Sequence, residues 1–144
     1  MRLPDAVVAI LAQAHTIAVV GLSSNPARPS HGVARYLQQQ GYRIVPVNPA
    51  ESAVLGEPAY ADLEQAAAAV GAIEIVDVFR RSEFVPEIAA AAIRIGARLL
   101  WLQEGVAHAE AEQTARGAGL QVIANHCLLK EHARLRAAAS GEKK

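Results

Sequence analysis

The chain has 144 residues, with 14 Lys and Arg against 14 Asp and Glu, a formal net charge of zero and a pI of about 7.0. This length suits one domain that buries roughly two-thirds of its unfolded surface without metals or disulfides, and the neutral balance excludes a global field that would recruit nucleic acid or an anionic membrane. A single cysteine, Cys127, excludes an internal disulfide and fits a reducing compartment. No basic segment with an apolar core opens the chain and no run reaches the roughly 18 apolar residues of a membrane span, so the expected location is the cytoplasm.

In chain order, the first expected element is an outer helix over Asp5–Ala14, with Val7, Val8, Ile10 and Leu11 to pack on the domain. Thr16–Gly21 follows as a β-branched, apolar run that stops on glycine, the pattern of a parallel strand covered on both faces. A helix is expected near His31–Gln40 with Ser30 as its N-cap, then a strand at Tyr42–Val47. The Pro- and Gly-rich stretch NPAESAVLGEPAY, from Asn48, carries the chain to the other side of the first strand through a short edge strand near Ala53–Leu55. Helix Ala61–Val70, strand Ala72–Phe79, helix Ser82–Ile95, strand Arg98–Leu102, helix Val106–Ala118, strand Leu120–Ala124 and helix His126–Ala139 complete the pattern. Gly41, Gly71, Gly96 and Gly119 punctuate the helix exits.

This alternation predicts one α/β domain over residues 1–139, a three-layer sandwich around a mostly parallel sheet of five to six strands, with 140–144 as a polar tail. The strand at Ala72–Phe79 is expected beside Thr16–Gly21, where the chain order reverses. Ligands of open α/β sheets sit in such a crevice, beyond the carboxyl ends of the strands.

The residues that leave the strands there are suited to an anion. In TIAVVGLSSNPARPSHGVARYL, Thr16–Leu37, Gly21 allows close approach, Leu22 follows it, Ser23 and Ser24 offer hydroxyls, Arg28 is a cation, and Ser30 opens a helix whose free N–H groups face the same space. Asn48-Pro49, Phe79-Arg80-Arg81 and Leu102-Gln103 leave the neighbouring strands. Arg28, Arg80 and Arg81 are expected to converge on the loop, since a guanidinium binds phosphate through two parallel hydrogen bonds. After Gly21 the next glycine is Gly32, so the G-x-G-x-x-G spacing is absent, and the second strand ends in Asn48-Pro49 where an NAD site places an acidic residue. No G-x-x-x-x-G-K-[ST] loop is present either.

The blocks VVGLSSNPARPSHGVARYL from Val19, GYRIVPVNP from Gly41, DVFRRSEFVPEI from Asp77 and AIRIGARLLWLQEGV from Ala92 together resemble the small stand-alone coenzyme A-binding proteins. The resemblance runs from about Thr16 to Leu135 and implies a Rossmann-like fold. The layout is also similar to the coenzyme A-binding domain of the succinyl-coenzyme A synthetase α subunit. It implies that Ser23, Ser24 and Arg28 meet phosphates, that Asn48 and Pro49 flank the nucleotide, and that Phe79, Arg80 and Gln103 line the remaining groove. The domain that supplies the synthetase's phosphorylated histidine has no counterpart here, so the likeness carries binding of coenzyme A or acyl-coenzyme A rather than that reaction.

One block departs from the family pattern: Ala124-Asn125-His126-Cys127 stands where an Asp-Arg-Cys sequence is usual. His126 and His132, six residues apart, fall on different faces of a helix, so with Cys127 they make a poor zinc site, and Cys127 is expected to pack as a small hydrophobe. His31 is a candidate ligand contact. Asp77 is expected to be partly buried with a structural hydrogen-bond partner, and Trp101 to pack under a helix. No nucleophile and base stand at a recognisable spacing, so no catalytic residue and no metal ligand is assigned. The rival readings are an acyl-group transferase or ligase component that works with a partner subunit, and a regulatory module for an adenine dinucleotide; the missing G-x-G-x-x-G counts against the second.

Overall fold

Five short, largely buried strands organise residues 1–141, the part of the chain that the computed structural model describes. The elements are α1 (Asp5–Gln13), β1 (Thr16–Val20), α2 (Pro29–Gln39), β2 (Arg43–Val47), β3 (Ala53–Val54), β4 (Glu57–Pro58), α3 (Leu63–Val70), β5 (Ile75–Val78), α4 (Val85–Arg94), β6 (Leu99–Leu102), α5 (Ala109–Gly117), β7 (Gln121–Ile123) and α6 (Leu128–Ala139). The main sheet runs β2-β1-β5-β6-β7 and every pairing in it is parallel. It is therefore an α/β, Rossmann-like sandwich of three layers, with the expected order reversal between β1 and β5.

Alternate residues of each strand feed two cores. Val20, Val78, Leu100 and Leu102 pack against α3, α4 and α5, while Ile17, Val19, Ile75, Leu99 and Trp101 pack against α1, α2 and α6. Side chains that alternate across a strand make both faces apolar when helices cover both. Trp101 is fully buried, and its indole N–H donates to the His126 carbonyl at 2.8 Å. Among the described residues no helix is long and apolar enough to cross a membrane.

Several boundaries differ from the sequence reading for local reasons. Arg28, not Ser30, is the N-cap of α2; Pro29 takes the first helical position, where its missing N–H is no loss, and Ser30 turns inward. A 3-10 turn at Ser82–Phe84 precedes α4, which has a proline in its own first turn. His108 delays α5: its Nδ1 accepts from the Ala111 N–H at 3.2 Å, and its own N–H donates to Glu112 Oε2 at 2.8 Å. In place of an edge strand near Ala53–Leu55, β3 and β4 form a separate two-stranded hairpin. Its Leu55-Gly56 turn has φ of 54° and 79°, the left-handed pair that a tight hairpin requires. Residues 140 and 141 end α6, and 142–144, the rest of the expected tail, lie outside the described residues.

Candidate functional site

Strand β1 ends between two clamps: the Gly21 N–H donates to the Val47 carbonyl of β2 at 2.8 Å, and the Phe79 N–H after β5 donates to the Val20 carbonyl at 2.8 Å. Gly21 sits where the exits meet, with φ of 88°. A Cβ there would lie 3.1 Å from the Phe79 carbonyl oxygen and 3.1 Å from Arg80 Cδ, so only glycine fits without a shift. From this junction the chain leaves β1 toward α2 on one face and leaves β5 toward α4 on the other. A crevice opens between them.

On the α2 side the crevice is a cleft of ≈ 330 Å³ lined by Gly21, Ser23, Arg28, Pro29, Ser30, Asn48 and Phe79. The loop around it holds its own shape: the Ser23 N–H donates to Ser30 Oγ at 3.0 Å, the Asn25 N–H to Ser23 Oγ at 3.0 Å, and the Ala27 N–H to Asn25 Oδ1 at 2.9 Å. Asn48 is a brace between loops, donating from Nδ2 to the Leu22 carbonyl at 3.0 Å and accepting the Ala50 N–H at 3.0 Å. Arg28 is exposed at the cleft's rim, and among the described residues no ion pair engages it. A preformed loop, hydroxyls and an uncompensated guanidinium suit a phosphate group.

On the α3 and α4 side a second hollow of ≈ 220 Å³ has apolar walls from Val20, Val47, Pro49, Ile88 and Ala91 and a charged rim that includes Asp62, Glu87, Arg80 and Arg94. The Arg80 guanidinium stacks 4.1 Å from the centre of the Phe84 ring, a cation–π contact that holds the head in place. Arg94 pairs with Glu64 at 2.5 Å across the far end, tying α4 to α3. The two hollows share no lining residue, but chain neighbours flank them: Gly21, Asn48 and Phe79 line the first, and Val20, Pro49 and Arg80 the second.

Two residues upstream of Phe79, Asp77 is fully buried. Its Oδ1 accepts from Gln103 Nε2 at 2.7 Å, and its Oδ2 has no partner among the described residues. Burial pushes its pKa up to about 7, and the Gln103 hydrogen bond only partly opposes this.

Residues 15–133 match the family described as CoA binding domain. The chain belongs to that family. It is 41% identical over 124 residues to the uncharacterized protein YneT of Bacillus subtilis, covering 86% of this chain and 90% of the relative. The structure of ID.343 from Thermus thermophilus superposes with a TM-score of 0.83 at 40% identity, over 90% of this chain and 96% of that one. A hypothetical protein from Pyrococcus horikoshii OT3 does so with a TM-score of 0.85 at 34% identity, over 94% and 98%.

Within this CoA binding domain the sequence-expected residues divide by location. Gly21, Ser23, Arg28, Ser30, Asn48 and Phe79 line the first cleft, and Pro49 and Arg80 line the second. Leu22 is core. Gln103 is buried, with its amide turned to Asp77 rather than presented to a groove. Arg81 is exposed and paired with Glu83 at 3.5 Å, so the three arginines do not meet at one point. Ser24 is held by Glu51, whose Oε2 accepts both its N–H, at 2.8 Å, and its hydroxyl, at 3.0 Å. Sequence reasoning missed Glu51, and it missed the acidic rim from α3 and α4. No local pattern marks a carboxylate that meets its partner 27 residues away; the one available signal was its place in the turn that Asn48-Pro49 begins. Cys127 is half-buried against the α1, α2 and α6 core rather than fully buried, and no cluster of three His, Cys, Asp or Glu side chains that could hold a metal ion occurs among the described residues.

Proposed function

We propose that this chain is a cytoplasmic coenzyme A or acyl-coenzyme A binding protein, and that the ligand lies across the crevice with a phosphate in the Ser23–Ser30 cleft. The observation that supports this best is the placement of an anion-suited cleft and an apolar-walled hollow next to the strand-order reversal of a CoA binding domain, lined by residues adjacent in the chain. Arg28 and the Ser23 and Ser30 hydroxyls bind phosphate oxygens, Phe79 and Pro49 supply flat apolar contact, and Arg80, fixed on Phe84, lies between the two hollows. The protein acts by holding the ligand. Cys127, which precedes α6 beyond the last strand and packs against the core, is not a nucleophile in this reading.

Calorimetry with coenzyme A, NAD and ATP tests the ligand, and mass spectrometry of small molecules released from freshly purified protein tests it independently. Binding of coenzyme A in clear preference to the other two is the expected result. Tighter binding of NAD overturns it.

A further inference from the structure

The Ser24 donors face an unusual partner. Elsewhere in the β1–α2 loop, the N–H groups of Ser23, Asn25, Ala27 and Arg28 go to uncharged oxygens of the loop and of α2's first turn. The Ser24 N–H and hydroxyl both point at one carboxylate oxygen, Glu51 Oε2, carried in from the loop after β2. Two convergent donors on one anionic oxygen form the arrangement that a phosphate oxygen would take. Glu51 is held for this contact: Asn48 braces the turn through the Ala50 N–H, and the Glu51 N–H donates to the Asn48 carbonyl at 3.1 Å. Asn48 itself lines the phosphate cleft.

We propose that Glu51 is a built-in counter-anion, a latch that occupies the Ser24 donors and must give them up before a phosphate can use them. This inference rests on the coenzyme A reading and adds a residue that sets the site's affinity. The latch keeps the loop ordered without ligand, since it satisfies the Ser24 N–H and ties the β1–α2 loop to the β2–β3 loop. It also weakens binding twice, because a carboxylate competes for the donors and its charge opposes an arriving phosphate. Removing the charge while keeping the shape therefore tightens binding, the opposite of what loss of an ordinary site residue does.

The test measures coenzyme A affinity by calorimetry for the wild type, Glu51→Gln, Ser24→Ala and the double variant, with thermal melts to check that each is folded. Glu51→Gln is expected to bind roughly tenfold more tightly, the size of one charge-assisted hydrogen bond, and that gain is expected to shrink in the Ser24→Ala background, where only the Ser24 N–H is left to Glu51. If Glu51→Gln binds equally or more weakly than a wild type that does bind, the latch is overturned and the coenzyme A reading stands. A gain of equal size with and without the Ser24 hydroxyl also overturns the latch as two convergent donors, since the hydroxyl contact then contributes nothing. Failure of both wild type and Glu51→Gln to bind coenzyme A overturns the coenzyme A reading itself.

Discussion

The exits of β1 and β5 stay open, whereas those of β6 and β7, the next strands of the same sheet, close on themselves. At the closed end Gln103 turns in to Asp77, the Gly105 N–H donates to Asn125 Oδ1 at 2.7 Å, the Trp101 indole donates to the His126 carbonyl, and Lys130 pairs with Glu104 at 3.1 Å. At the open end the loops are equally well bonded, yet a cleft of ≈ 330 Å³ remains between them. The chain departs to opposite faces after both pairs, to α2 and α4 from β1 and β5 and to α5 and α6 from β6 and β7, so the difference lies in the side chains that cross the gap: at β6 and β7 they bond to one another, and at β1 and β5 they brace their own loops. Polar groups consumed in pairs make a wall, and those left at the edge of a gap make a site.

The largest expected effect lies at the closed end. Trp101→Ala should remove about 3–5 kcal/mol of stability, because a fully buried indole and its hydrogen bond are lost together, and chemical denaturation would measure it. If instead the variant keeps its stability and loses ligand binding, the closed end is part of the site and the contrast fails.

At the open end Arg28→Ala and Arg80→Ala should each weaken coenzyme A binding by about 1.5–3 kcal/mol while leaving the melting temperature nearly unchanged. Arg81→Ala should have a smaller effect, since that guanidinium faces Glu83. Normal binding by both of the first two variants would mean that the open end is only surface.

Asp77 gives a pH signature that separates the two ends. Its pKa is raised from 3.8 to about 7 on folding, so the folded state holds the proton more tightly than the unfolded chain. Its contribution to stability is therefore fully present below pH 3.8 and is lost as pH rises through about 7. Asp77→Asn should flatten the stability profile across that window and be the more stable protein at pH 8, as followed by thermal melts in a buffer series. An unchanged slope would show that the carboxyl is not held protonated.

The smallest effect is expected at Cys127. Cys127→Ser should shift stability by no more than about 1 kcal/mol, since the thiol is only partly buried, and incubation with several acyl-coenzyme A species should release no free thiol in either protein. Catalytic release that vanishes in the serine variant would promote the enzyme reading.

Strand and helix alternation, the parallel sheet and the reversal beside β1 were legible because they follow from local periodicity and from the need for a crossover between parallel strands. Gly21 was legible for the same reason, since a backbone turn is a property of a few consecutive residues, whereas the cap of α2 was expected at Ser30 and lies at Arg28 because Pro29 takes the first helical position. Ser30, Ser24 and Gln103 were assigned to the ligand on equal sequence grounds, yet Ser30 Oγ supports the Ser23 N–H as it lines the cleft, Ser24 is bound to Glu51, and Gln103 to Asp77. Those last two pairs are 27 and 26 residues apart, and only the sheet register, which sets Asp77 beside Trp101, and the path of the loop after β2 bring them into contact. A side chain's type announces what it can bond, but a buried or braced donor goes to whichever acceptor tertiary packing puts within about 3 Å of it.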